Sequence, residues 1–164
     1  MRLHHTRHHR AYVDNLNAAN AKLTAIVDAK DVAGEVDLQE AIKFNGGGHI
    51  NHSLFWKNLA PTASPQTNPD AAPRLSKEID NTWGTLAQFK KHFSASLLDI
   101  KGSGWGWLVR GGANHGPNAL HIIITKDQDP PIAKGATPVL GVDMWEHAYY
   151  LQVLLLLSPS TEHR

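Results

Sequence analysis

PTASPQTNPDAAP, residues 61–73, decides how this chain is laid out. Pro61, Pro65, Pro69 and Pro73 stand four apart in it, with small and polar residues between them. Each proline removes a backbone donor and blocks the helix or ladder its neighbours would form, so no packed element is expected and the stretch reads as a linker. The sequence changes character across it. Upstream, Leu3, Tyr12, Val13, Leu16, Leu23, Ile26 and Val27 recur at helical spacing without proline or glycine, predicting one long helix from Met1 to about Asp28. A turn around Asp31 to Gly34 leads to a second helical stretch from about Leu38. It is expected to bend at Asn45-Gly46-Gly47-Gly48 and to resume through His52 and Trp56 to Leu59.

Downstream, Leu75, Ile79 and Trp83 predict a short helix, and Thr85 with Gln88 a capping box for another that carries Phe89, Phe93 and Leu97. The period then changes at Gly102. Trp105 to Val109 and Leu120 to Thr125 are β-branched or aromatic runs separated by RGGANHGPN (110–118), which predicts a hairpin of strands. Val139 to Val142 is a candidate third strand, and Trp145 to Leu157 opens a further helix. The expected class is α+β. A helical hairpin occupies residues 1–60, a linker 61–73, and a C-terminal α/β lobe residues 74–164, with a small three-stranded antiparallel sheet flanked by helices.

The 164 residues suit one compact unit. Sixteen Lys and Arg against 15 Asp and Glu leave no electrostatic footprint for nucleic acid or an anionic membrane. The longest apolar run, near Val153 to Leu157, falls far short of the ~20 residues that cross a bilayer. With no cysteine there is neither a disulfide framework nor a thiolate metal site. The opening MRLHHTRHHR carries no readable targeting segment. Eleven histidines and five tryptophans point instead to imidazole ligands in an aromatic pocket.

His4, His8 and Tyr12 stand four apart and share one helix face, with His5 and His9 on the adjacent one. On the second helix His52 lies one turn before Trp56, behind three glycines that let another backbone or a ligand come close. Asp143 and His147, four apart where a strand enters a helix, can both point into one pocket. Each pattern alone has a bland explanation: a solvated basic cluster, a kinked helix with a surface histidine, an ion pair at a helix start. Imidazoles and a carboxylate from three separate segments nevertheless make a nitrogen and oxygen donor set that suits manganese or iron.

The segments LHHTRHHRAYV (3–13), FNGGGHINHSLFWKNL (44–59), GSGWGWL (102–108), DQDP (127–130) and GVDMWEHAYYLQ (141–152) occur in that order and closely resemble the manganese/iron superoxide dismutase family, above all its manganese members. The resemblance implies metal ligands at His4, His52, Asp143 and His147. It implies that Gln128 hydrogen-bonds metal-bound solvent, that Tyr12 and His8 guard the substrate channel, and that Trp56, Trp105 and Trp145 form the aromatic wall. Glu146 would reach across a dimer interface to the ligand His147 of the opposite subunit. The implied activity converts superoxide to dioxygen and hydrogen peroxide, in a homodimer or homotetramer, in the mitochondrial matrix or the cytosol. One manganese ion per chain is expected, with iron as the alternative. Manganese is favoured because the amide sits at Gln128 while Gly48 occupies the place from which many iron enzymes supply theirs.

The family extends upstream of Met1. After Gln152 it continues through helices rich in Asn, Trp and Tyr, whereas this chain reads VLLLLSPSTEHR (153–164). That end reads as a truncated or variant form, such as a splice variant, an unremoved intron or an incomplete gene model, with lobe surface left uncovered and low thermal stability. An inactive or unstable metal-binding isoform is the alternative function.

Overall fold

A computed structural model describes residues 1–112 and 115–157. The first helix opens as a π-helical turn, His4–His9, and continues without a break as α1, Arg10–Asp28. Helix α2 runs Val32–Lys57 and packs along α1 as a hairpin. It starts earlier than expected, because Asp31 acts as its N-cap and accepts the Gly34 N–H at 3.0 Å. Nor does it bend: Asn45 to Gly48 are all helical.

Close approach, and not a kink, accounts for the glycines. A Cβ on Gly47 would overlap the backbone oxygen of Gln128, and one on Gly48 would lie 2.5 Å from the Tyr12 ring. Gly47 and Gly48 thus let α2 touch two different parts of the chain with its bare backbone.

The proline-rich stretch is less featureless than its composition predicts. It holds two short 3-10 turns, Pro65–Thr67 and Pro69–Ala71, started by Ser64 and Asn68, whose side chains accept the Gln66 and Asp70 N–H groups. Pro73 is already the first residue of α3, Pro73–Trp83, where its missing N–H costs nothing. Helix α4, Leu86–Leu98, follows, and the Thr85 hydroxyl accepts the Gln88 N–H as the sequence predicts.

Strands β1 (Gly104–Arg110), β2 (Leu120–Lys126) and β3 (Thr137–Asp143) form one antiparallel sheet in the order β2-β1-β3. Helix α5, Glu146–Leu157, closes the described part. It carries residues 153–157 of the expected atypical end, while residues 158–164 lie outside the described residues. The architecture is α+β, a helical hairpin followed by a three-stranded antiparallel sheet with helices.

Strand β1 is central and buried on both faces, and its alternation separates two cores. Trp105, Trp107 and Val109 pack with Phe55 of α2. On the opposite face Leu108 joins Ile79, Phe89 and Phe93 of α3 and α4. Gly106 shares that second face, where a side chain would overlap Leu97. The hairpin is tied to the sheet edge by Asn58, whose Oδ1 accepts the Gly141 N–H at 2.9 Å and whose Nδ2 donates to the Val139 carbonyl at 3.3 Å.

A paired substitution tests the glycine contacts. Gly47→Ala sets Cβ against backbone that cannot rotate away and is expected to destabilise by about 3 kcal/mol. Gly46→Ala meets only Leu16 at 3.6 Å and is expected to stabilise by roughly 0.5–1 kcal/mol through helix propensity. Urea midpoints that move the same way for both would refute the close-approach account.

Candidate metal centre

Three elements deliver four side chains to one point. His4 comes from the π-turn, His52 from α2, and Asp143 and His147 flank the step from β3 into α5. Asp143 Oδ2 lies 3.1 Å from Nε2 of both His4 and His147 and 3.6 Å from Nε2 of His52. The His4 and His52 Nε2 atoms are 3.1 Å apart. All four donor atoms fall within 4.8 Å of one another.

Local structure sets each orientation. Asp143 Oδ1 accepts the Trp145 N–H at 2.9 Å, so Oδ2 is the oxygen left to face the imidazoles. His52 Nδ1 donates to the Gly48 carbonyl, one turn back, at 2.8 Å. That bond fixes the tautomer and leaves the Nε2 lone pair aimed at the centre. Nitrogen lone pairs and a carboxylate oxygen converging in a dry space repel one another unless a cation or shared protons lie between them. Three imidazoles and one carboxylate are a borderline-to-hard set, and these residues fit a manganese or iron ion.

Burial controls the charges. It pushes His52 from its ordinary 6.5 down to about 4. For Asp143 burial acts upward, but hydrogen bonds from His147, His4 and the Trp145 amide outweigh it and hold the carboxyl below its usual range. Burial raises Tyr12 to about 12 against the hydrogen bond from Gln128. His8 is lowered by burial and by the neighbouring His147 and His4.

The other predicted site residues, Glu146 excepted, surround this point. His8 stacks on His147 with ring centres 4.6 Å apart. Tyr12 lies against the His52 ring at 5.1 Å, and its hydroxyl accepts from Gln128 Nε2 at 3.0 Å. The amide oxygen of Gln128 takes the Trp105 indole N–H at 3.2 Å, while the Trp105 ring meets His52 edge-on at 5.1 Å. Trp145 stacks on His147 and donates its indole N–H to the Asp127 carbonyl at 2.9 Å. Trp56 covers His4 at 5.1 Å. Glu146 stands apart from all of these, exposed in the first turn of α5.

Asn51 and His49, which the sequence reading passed over, also belong here, together with His9. Asn51 is completely buried and donates from Nδ2 to the Gln128 carbonyl at 3.1 Å and to its Oε1 at 3.3 Å. The Trp56 indole N–H donates to His9 Nδ1 at 2.9 Å, so the neutral His9 ring carries its proton on Nε2 and donates it in a hydrogen bond to His49 Nδ1 at 3.0 Å. The available signal for Asn51 was its place four residues after Gly47, on the same stripe of α2.

Comparison with known proteins agrees with this geometry. Residues 1–60 match the family model for the iron/manganese superoxide dismutase alpha-hairpin domain, and residues 71–154 that for the C-terminal domain. The chain belongs to the iron/manganese superoxide dismutase family. It is 58% identical over 155 residues to the mitochondrial manganese superoxide dismutase of Neurospora crassa, covering 94% of this chain and 62% of that protein. Its identity to the protein of the same name from Aspergillus oryzae is 56% over 153 residues, 93% of this chain and 70% of the relative. For the Schizosaccharomyces pombe protein it is 49% over 152 residues, 93% and 66%. The chain thus spans about two thirds of the length of these family members.

The buried imidazoles predict a pH dependence. Between about 4 and 6.5 the folded His52 stays neutral while the unfolded one takes up a proton. The unfolded state then binds more protons, so the stability of the metal-free protein falls as pH is lowered through that window. His8 and His9 act in the same direction. A denaturant midpoint that holds level from pH 6.5 to 4 would contradict a dry, neutral imidazole cluster.

Proposed function

We propose that this chain converts superoxide to dioxygen and hydrogen peroxide with one manganese ion held by His4, His52, Asp143 and His147. The observation that carries this reading is the convergence of three imidazole nitrogens on a single carboxylate oxygen, inside a chain of this family. When bound, the ion supplies one-electron cycling between trivalent and divalent states, oxidising one superoxide and reducing another. Two superoxide anions and two protons give one dioxygen and one hydrogen peroxide, so the protein must admit a small anion and deliver protons.

The surrounding residues suit those tasks. Tyr12, raised to about 12, keeps its proton across the physiological range and can hold a hydrogen bond at the centre. Gln128 donates to it from a buried position, from which its amide would also serve solvent held at the ion. His8 stands with Tyr12 on the channel side, and Trp56, Trp105 and Trp145 exclude bulk water. Manganese is preferred to iron because the chain supplies its amide from Gln128 and has Gly48 at the other place; the relatives' names specify manganese.

The same reading includes a homodimer or homotetramer in which exposed Glu146 supports His147 of the opposite subunit. It places the protein in the mitochondrial matrix, supported by the relatives' names, which say mitochondrial. It divides the chain into a hairpin lobe over 1–60, a linker over 61–73 and a second lobe from residue 74. Among the described residues no helix is long and apolar enough to cross a membrane.

Two measurements test the site. His52→Ala and Asp143→Ala each remove one of four ligands and are expected to abolish metal loading; elemental analysis showing full stoichiometry in either variant would strike that residue from the set. Gln128→Leu leaves every ligand in place and is expected to keep the metal while losing activity by roughly 10- to 100-fold. Undiminished superoxide consumption at full occupancy would take the amide out of the chemistry.

A further inference from the structure

Resting on the reading of Gln128 as the amide that serves the metal centre, we propose that Asn51 is a positioning residue that turns the NH2 end of Gln128, and not its oxygen, toward Tyr12. Tyr12 cannot make that choice. Its hydroxyl both donates and accepts, so either end of a glutamine amide would satisfy it. The decision falls to the groups on the other side of Gln128.

Two donors stand there. Trp105 Nε1 lies 3.2 Å from Gln128 Oε1, and Asn51 Nδ2 lies 3.3 Å from the same atom. Neither can accept through those atoms. If the Gln128 amide were turned over, its Nε2 would face two N–H groups and both contacts would become donor against donor. With Oε1 held, Nε2 is the end that reaches Tyr12, at 3.0 Å.

Asn51 has no such freedom itself. Its Nδ2 also donates to the backbone carbonyl of Gln128 at 3.1 Å, so turning it over would set Oδ1 against two acceptors. Both hydrogens of one amide are spent on one residue, holding its backbone and its side chain together. The Oδ1 of Asn51 is buried and has no hydrogen-bond partner among the described residues. A half-satisfied amide is a costly way to fill space, since a buried unpaired acceptor opposes folding. Its NH2 group is therefore the part with a task. Gly47, one turn earlier, brings the α2 backbone close enough for that group to reach Gln128.

The test uses Asn51→Ala and, should the cavity prevent folding, the near-isosteric Asn51→Leu. Protein labelled with 15N at glutamine and loaded with zinc, a diamagnetic ion that accepts nitrogen and oxygen ligands, reports the Gln128 side-chain NH2 directly. Gln128→Leu identifies the resonance by its disappearance. We expect the signal in the Asn51 variants to move to the position of a free amide and to exchange with solvent at least about tenfold faster, with turnover of the manganese-loaded protein about tenfold lower at unchanged metal content. In a Gln128→Leu background, Asn51→Ala is expected to cost less than about twofold, because its effect passes through the missing amide. An unmoved Gln128 resonance, or an undiminished loss in that background, overturns the proposal. A moved resonance with unaltered turnover upholds Asn51 as the residue that positions Gln128 and counts instead against Gln128 in the chemistry.

Discussion

Asp143 carries a carboxylate whose side chain has no exposed surface, and the rest of the site follows from making that charge tolerable. An isolated ionised carboxyl is strongly disfavoured in a dry interior. Here one oxygen is satisfied by the backbone N–H of Trp145 and the other by the Nε2 atoms of His4 and His147. The balance leaves the group ionised, since its hydrogen bonds outweigh its desolvation. Three imidazoles around one carboxylate are also a donor set that suits a manganese or iron cation, which would take the place of the protons they share with Asp143.

Helix α2 distributes the work around that charge along two parallel stripes, each a glycine followed one turn later by a polar residue. Gly48 brings the backbone against Tyr12, and His52 points into the centre while bonding back to the Gly48 carbonyl. Gly47 brings it against the Gln128 backbone, and Asn51 reaches the Gln128 amide. The side chains at four-residue spacing stand one above the other, so adjacent residues reach different targets without any bend in the helix. Asn58 then fixes the far end of α2 to the edge strand that leads to Asp143. His52 and Asp143 are thereby registered by contacts to backbone on both sides of the cluster.

Periodicity made the helices and strands legible, because burial on one face leaves a repeat in the sequence. The hairpin, the order of strands along the chain and the capping threonine at Thr85 could all be read without coordinates. The four residues that the structure brings together could be named because they lie in recognisable segments and are of chemically restrictive types. The shape of α2 could not. Glycines in a helical run signal either a break or a close approach, and which one applies depends on residues such as Gln128, 81 positions from Gly47, whose proximity no local pattern encodes. Asn51 escaped for a related reason: a short amide beside a histidine ligand looks like a helix-surface residue until its partner is known. The composition of residues 61–73 hid the start of α3 at Pro73 and the two small turns, which need only a proline preceded by a side chain that accepts one N–H.

The apolar wall and the polar contacts occupy opposite sides of Gln128. Trp105 and Trp107 are wholly buried, stacked 5.2 Å apart, and each indole N–H has a partner, so the wall is rigid as well as apolar. Rigidity there is transmitted to Gln128, which cannot relax without breaking the bond to Trp105. The polar path runs on the other side, from Gln128 to the Tyr12 hydroxyl, in front of the His52 ring. A low local dielectric strengthens each of these bonds and raises the cost of turning any of them over. Within one pocket the chain therefore combines a dry wall with hydrogen bonds anchored by donors locked into the core.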